Sequence, residues 1–284
     1  MELRRLNLAF AYILIPTIFV PVHIRILYIL IKRKSFRSMQ CYRIIAQMEL
    51  LTLFIIPFYI SMGMTIMLNG ELVPVTLVLV SINDCSLNVV TALDVILALN
   101  RLRVVCNLQY PRLIDTLIQI IVWLGWTLGL VAVLSPYLGY TYLNDHMVMV
   151  PDMRRDWQLP YVLFQTYFGM FCDSVTLLIY TSIASYMGYL KWKKRYPYVC
   201  AHDRQLLVQQ MVSFAGDLAA QVTYRVMFNI ASTSRNVDLV TYLCRAVDFL
   251  DILNYIALPP ILCLLINRTL RKAVLINYNV HYLS

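Results

Sequence analysis

The stretch PVTLVLVSINDCSLNVVTALDVILALNRLRVVCNLQYP, residues 74–111, decides how the rest of the chain is read. From Val75 to Leu99 it is apolar and longer than the ~20 residues that cross a hydrocarbon core of ~30 Å. It also carries Asn83, Asp84, Asn88, Asp94 and Asn100, which lipid would not tolerate on an exposed face. These two properties together describe a central transmembrane helix, shielded from lipid by its neighbours, that delivers Arg101 to one membrane surface. Asn107-Leu108-Gln109-Tyr110-Pro111 then provides a polar turn.

The totals agree with that reading. The 284 residues are 60% hydrophobic and only 14% charged, with a mean hydropathy of +0.68, whereas a soluble domain carries about 25% charged residues. A net charge of +9 raises the question of nucleic acid, but the basic residues lie between apolar runs and not on one domain. Membrane orientation accounts for them, and no nucleic-acid partner is expected. The first apolar run, Leu8 to Ile31, is too long for a signal-peptide core and precedes Lys32-Arg33-Lys34, so it reads as a first span.

Apolar windows near spanning length fall at about 8–31, 43–67, 74–100, 116–139, 160–190, 205–231 and 240–266. The expected fold is an all-α membrane protein, a single seven-helix bundle over 1–284, with a short amphipathic helix at about 267–276 lying along the inner leaflet. Lys32, Arg33, Lys34, Arg37 and Arg43 crowd the first joint, Arg101, Arg103 and Arg112 the third, and Lys191, Lys193, Lys194, Arg195 and Arg204 the fifth. Arg268, Arg271 and Lys272 follow the last span, whereas the opposite side has only Arg4, Arg5, Arg154, Arg155 and Arg235. The positive-inside rule then puts the N-terminus outside and the C-terminus in the cytoplasm. With that topology the seven cysteines read as free thiols, since none near the outside has a partner in the 140–159 loop.

Three constellations stand out. The first is Asn100-Arg101 at the inner end of the third span. Either Arg101 contacts a cytoplasmic partner when the bundle opens and is held by a carboxylate, Asp203, when it is closed, or it snorkels to lipid headgroups. The second is the set of ionisable groups inside spans, each costing roughly 2.5–3.5 kcal/mol at the membrane centre. Arg245, Asp248, Asp251 and Tyr255 share one helical face, as do Asp217, Gln221 and Arg225. They form either a polar cavity for a small polar or charged ligand, with Asp84, Asn88, Arg225, Arg245 and Asp248 as candidate contacts, or a salt-bridge network that fixes helix register. Glu49, Asp94, Asp251 and Asn254 read as a deeper polar core network. The third is Lys191-Trp192-Lys193-Lys194-Arg195, an interfacial anchor or a dock for an acidic patch.

The pattern resembles rhodopsin-like (class A) G-protein-coupled receptors and, among them, the nematode serpentine chemoreceptors of class T. Ala46-Gln47-Met48-Glu49-Leu50 is similar to the family's Leu-Ala-x-x-Asp-Leu, with Pro57 in the same span. Asn100-Arg101-Leu102 stands where Asp/Glu-Arg-Tyr is usual, and Trp126 and Pro136 match the fourth-span pair in spacing. Pro259-Pro260-Ile261-Leu262-Cys263 with Asn267-Arg268-Thr269-Leu270 resembles Asn-Pro-x-x-Tyr and its surface helix. Pro16, Pro21, Cys41-Tyr42-Arg43-Ile44 and Leu99-Asn100-Arg101 carry the class-T likeness. The usual extracellular cysteine pair, the fifth-span proline and the sixth-span Cys-Trp-x-Pro are missing, which implies a loosely stapled outer mouth.

The resemblance implies a multi-pass plasma-membrane receptor, the sensory cilium included. Its partners would be a small-molecule odorant or pheromone in an outer-half cavity, a heterotrimeric G protein at Asn100, Arg101 and Asp203, and the lipid bilayer. No enzyme activity, cofactor or metal is expected. His23, His146, His202 and His281 are scattered, no Gly-x-Ser-x-Gly elbow occurs, and 240–266 has no lysine for a retinal Schiff base. A ligand-gated channel or transporter using the buried carboxylates is the alternative. Against it, neither internal repeats nor matching broken half-helices are present.

Overall fold

The computed structural model describes residues 2–108, 112–143, 148–193, 201–233 and 237–275, with most of their side chains. Nearly all of this is helix. The order is α1 (Glu2–Lys32), α2 (Lys34–Arg37), α3 (Gln40–Met67), α4 (Val73–Cys106), α5 (Arg112–Val133), a hairpin of β1 (Tyr140–Leu143) and β2 (Val148–Pro151), α6 (Gln158–Trp192), α7 (Ala201–Thr233), α8 (Val237–Asp251), α9 (Leu258–Leu265) and α10 (Arg268–Leu275). A π-helical turn, Ile252–Ala257, joins α8 to α9.

Among the described residues, five helices have the length and composition to cross a membrane: Leu6–Lys32, Gln40–Met67, Thr116–Val133, Gln158–Leu190 and Tyr242–Leu265. The two other long helices, α4 and α7, carry polar side chains along their length. α4 is the hub and packs against α3, α5 and α6. Its polar residues Asn83 and Asn100 are buried, so the neighbours do shield what lipid would reject. α5 is at the other extreme: Ile121, Leu128 and Val131 are more than 60% exposed, an apolar face with no protein against it that suits hydrocarbon.

Local sequence sets several boundaries. Asn107 ends α4 in the left-handed region at φ 51°, a conformation that asparagine tolerates. α5 stops at Val133, short of Pro136, which has no N–H to continue it. Pro16, Pro21 and Pro57 sit inside α1 and α3 without breaking them, as packed membrane helices allow. α3 meets α1 at Gly63, where a Cβ would lie 2.8 Å from the Ala9 carbonyl oxygen. After α9, Asn267 Oδ1 accepts from the Leu270 N–H at 3.0 Å and caps α10. Asn267 Nδ2 donates to the Tyr42 hydroxyl at 3.3 Å, which ties α10 to α3.

The sequence gives no hint of a strand, yet the segment after α5 pairs antiparallel from Tyr140↔Pro151 to Leu143↔Val148. This hairpin is fixed without a disulfide. Gln158 Oε1 accepts from the Gly139 N–H at 2.8 Å, and Arg155 donates to the carbonyls of Pro136 (3.2 Å) and Leu138. The end of the bundle under it is therefore held more firmly than the missing cysteine pair implies. Cys41, Cys85, Cys106, Cys172, Cys244 and Cys263 are free thiols, and Cys200 lies outside the described residues.

Candidate functional site

Beneath the hairpin is a cavity of about 230 Å³. α4 gives it Asn83, Asp84, Asn88 and Thr91, and α8 gives Asp248 and Asp251. The hairpin closes it with Tyr140, Met149 and Pro151, and Phe58, Tyr59 and Tyr255 form aromatic wall. Several of these polar side chains have a partner at this depth. The Asp84 carboxylate accepts from Gln165 Nε2 at 2.6 Å and from the Tyr161 hydroxyl at 3.1 Å, with Tyr140 as a further donor from the hairpin. Asp248 accepts from the Tyr12 hydroxyl at 2.6 Å. Burial and the Asp84 carboxylate push the Tyr140 phenol well above its ordinary pKa, so at neutral pH it is a firm donor.

A smaller cavity of about 60 Å³ lies further from the hairpin, lined by Glu49, Asp94, Gln209, Gln210, Asp217 and Asn254 among others. Asp217 accepts from Asn254 Nδ2 at 3.3 Å and from the Tyr255 hydroxyl. Glu49 also faces away from this cavity, toward α1. Its Oε2 lies 2.5 Å from His23 Nδ1, and His23 Nε2 lies 2.8 Å from the Ile256 carbonyl.

Of the ligand contacts expected from sequence, Asp84, Asn88 and Asp248 thus line one cavity, whereas Arg245 is not on its wall. Asp251, read as part of the deeper network, is on the wall of the larger cavity, and Glu49, Asp94 and Asn254 line the smaller one. The side chains of Arg225 and Asp203 lie outside the described residues. At the end of α4 away from the hairpin, Arg101 is 1% exposed and its Nε donates to Gln210 Oε1 on α7 at 3.0 Å. A neutral amide of α7 is therefore one group that bonds the guanidinium.

Several participants are absent from the sequence reading. Tyr140, Tyr161 and Gln165 are unremarkable by type and become partners of Asp84 only through the fold. His23 had one available signal. Pro260 has no N–H, so the Ile256 carbonyl four residues earlier lacks its helical donor, and a buried donor had to come from elsewhere. Among the described residues no group of three or more His, Cys, Asp or Glu side chains is placed to hold a metal ion.

No protein-family model matches the chain, and no curated protein matches it in sequence. In fold it is similar to squid rhodopsin, with a TM-score of 0.78 at 14% identity over 96% of this chain and 85% of the rhodopsin chain. The class defined by the fold is therefore a helical membrane bundle with the architecture seen in squid rhodopsin. Identity this low speaks for the fold alone.

Proposed function

We propose that the chain is a seven-span chemosensory receptor that binds a small molecule beneath the hairpin and signals through a heterotrimeric G protein. The spans are α1, α3, α4, α5, α6, α7 and α8 continued through the π turn into α9. The charge asymmetry of the joints supports a hairpin that faces outward and an Arg101 end that faces the cytoplasm. The class-T resemblance supports a chemosensory role at the plasma membrane.

The observation that carries this reading is one helix, α4, that serves two ends of the bundle. Toward the hairpin its Asp84 and Asn88 line the larger cavity, and at its other end Arg101 is buried against Gln210 of α7. Binding need only favour an arrangement in which α7 leaves Arg101 for the two sites to be coupled. Arg101 is then released to meet the G protein. A hydrogen bond from a charged group is worth about 1.5–3 kcal/mol, enough to keep the free receptor closed by roughly tenfold or more.

The test is an odorant panel on cells that express the full chain, read out by second messenger. A response lost in Arg101→Ala, with surface expression unchanged, supports the receptor. A ligand-gated current that persists without any G protein refutes it in favour of a channel.

A further inference from the structure

The chemistry of the larger cavity is lopsided. Asp84, Asp248 and Asp251 all line it, and among the described lining residues there is no Lys, Arg or His. Several of the nearby donors are already committed, and Arg245 lies within electrostatic reach of Asp248. Gln165, Tyr161 and Tyr140 serve Asp84, Tyr12 serves Asp248, and Asn88 Nδ2 donates to the Asp84 backbone carbonyl at 3.0 Å. Asp251, by contrast, receives no hydrogen bond from a described residue, although it sits on the cavity wall. Asn83 is an independent observation of the same kind. It is only 6% exposed, it lines the cavity, and its Oδ1 meets no donor.

Buried polar groups are almost always bonded, and two unbonded ones on one wall describe the ligand that would complete them. It must bring hydrogen-bond donors. A cation gains most there, because an anion would meet three acidic side chains and a carboxyl group this deep ionises only against a positive charge. A bare metal ion does not fit, since no three described His, Cys, Asp or Glu side chains converge on one point. Phe58, Tyr59 and Tyr255 on the same wall offer the aromatic faces that organic cations favour. The volume, about 230 Å³, falls below the ~300–1,000 Å³ of drug-sized pockets.

We infer that this cavity binds a small organic ammonium, with Asp251 as its counter-ion and Asn83 as a second hydrogen-bonding contact. The inference rests on the proposal that the cavity is the ligand site, and deepens it by naming the ligand class.

The experiment measures ligand-induced shifts in Tm of the purified full chain in detergent, so that binding is read apart from signalling. The probes are 2-phenylethylammonium, 2-phenylethanol and phenylacetate, with butylammonium, butanol and butyrate as a smaller set. The ammonium members raise Tm at millimolar concentration and their alcohol and carboxylate counterparts do not. Asp251→Asn weakens ammonium binding by roughly tenfold or more, as loss of a charge-assisted hydrogen bond requires. Asp251→Glu retains the selectivity for cations, and Asn83→Ala weakens binding by a smaller factor. Alcohols or carboxylates that bind as well as the ammonium, an Asp251→Asn chain with unchanged affinity, or no shift from any probe overturns the inference. An ammonium that shifts Tm but evokes no second messenger leaves the cation site standing and removes the receptor. A neutral odorant that signals through the intact Arg101 does the reverse.

Discussion

His23 Nδ1 lies 2.5 Å from Glu49 Oε2, and both side chains are buried. The second ring nitrogen, Nε2, faces the Ile256 carbonyl at 2.8 Å. A carbonyl only accepts, so Nε2 carries a hydrogen, and one further proton is shared between Nδ1 and Oε2. Whichever atom holds it, the pair is neutral overall, which is how an imidazole and a carboxyl coexist inside a membrane bundle. The same ring links α1 to α3 and to the π turn, so three helices meet on one histidine.

Removing either partner should therefore cost much more than removing both. We expect His23→Ala and Glu49→Ala each to destabilise the bundle by about 1–3 kcal/mol, the usual penalty for leaving a buried polar group unbonded. The volume-matched pair His23→Phe with Glu49→Leu should cost less than the sum of the two single changes. Denaturation midpoints of the purified chain in detergent measure this, and strict additivity would mean that the two groups do not act as a unit.

Gln210→Ala removes the acceptor that holds Arg101 Nε at 3.0 Å. If that bond helps to keep the bundle closed, basal second-messenger output rises, by about tenfold for each 1.4 kcal/mol lost. The effect should vanish in the Gln210→Ala, Arg101→Ala double variant, since in the proposed mechanism the released group is the one that signals. Basal output that stays at the parental level in Gln210→Ala counts against the latch.

How much of this was legible beforehand differs by kind of signal. The positions of five helices follow from apolar length, because the bilayer imposes one dimension on every helix. The central place of α4 follows from polar residues that only a shielded helix can carry, and Asp84, Asn88 and Asp248, which line one cavity, can be singled out because polar and ionisable groups stand out in an apolar sequence. Tyr140, Tyr161, Gln165 and Gln210 were not found. Each is ordinary by type, and each gains its role from a neighbour tens of residues away, as with Arg101 and Gln210. The hairpin was also invisible, since strands of four residues are too short for periodicity to register.

Gly63 is a packing requirement that substitution can expose. A Cβ there would lie 2.7 Å from Ile13 Cγ1 and 2.8 Å from the Ala9 carbonyl oxygen. The side chain of Ile13 can move, but the backbone of α1 cannot move without separating from α3. Gly63→Ala is expected to cost about 1–3 kcal/mol, the range for overpacking, and to lower Tm. Pairing it with Ile13→Ala should recover only part of the loss. Complete recovery would show that the backbone contact is not limiting.

Tyr140 makes the hairpin sensitive to alkali. Its phenol is pushed well above the ordinary value by burial first and by the Asp84 carboxylate second. In the unfolded chain the same phenol ionises near pH 10. A group whose folded pKa exceeds its unfolded one contributes its full stabilisation below the unfolded value and loses it as pH rises toward the folded value. The stability supplied by Tyr140 is therefore complete at neutral pH and begins to drain away above about pH 10. Tyr140→Phe deletes both the hydrogen bond to Asp84 and this titration. It should lower Tm at pH 7, where a bond to a charged acceptor is worth about 1.5–3 kcal/mol, and the gap between the two proteins should narrow from about pH 10 upward. Because the other tyrosines titrate equally in both chains, the difference between the two Tm–pH curves isolates Tyr140. Curves that stay parallel through alkaline pH would place the phenol in water and not over the Asp84 cavity.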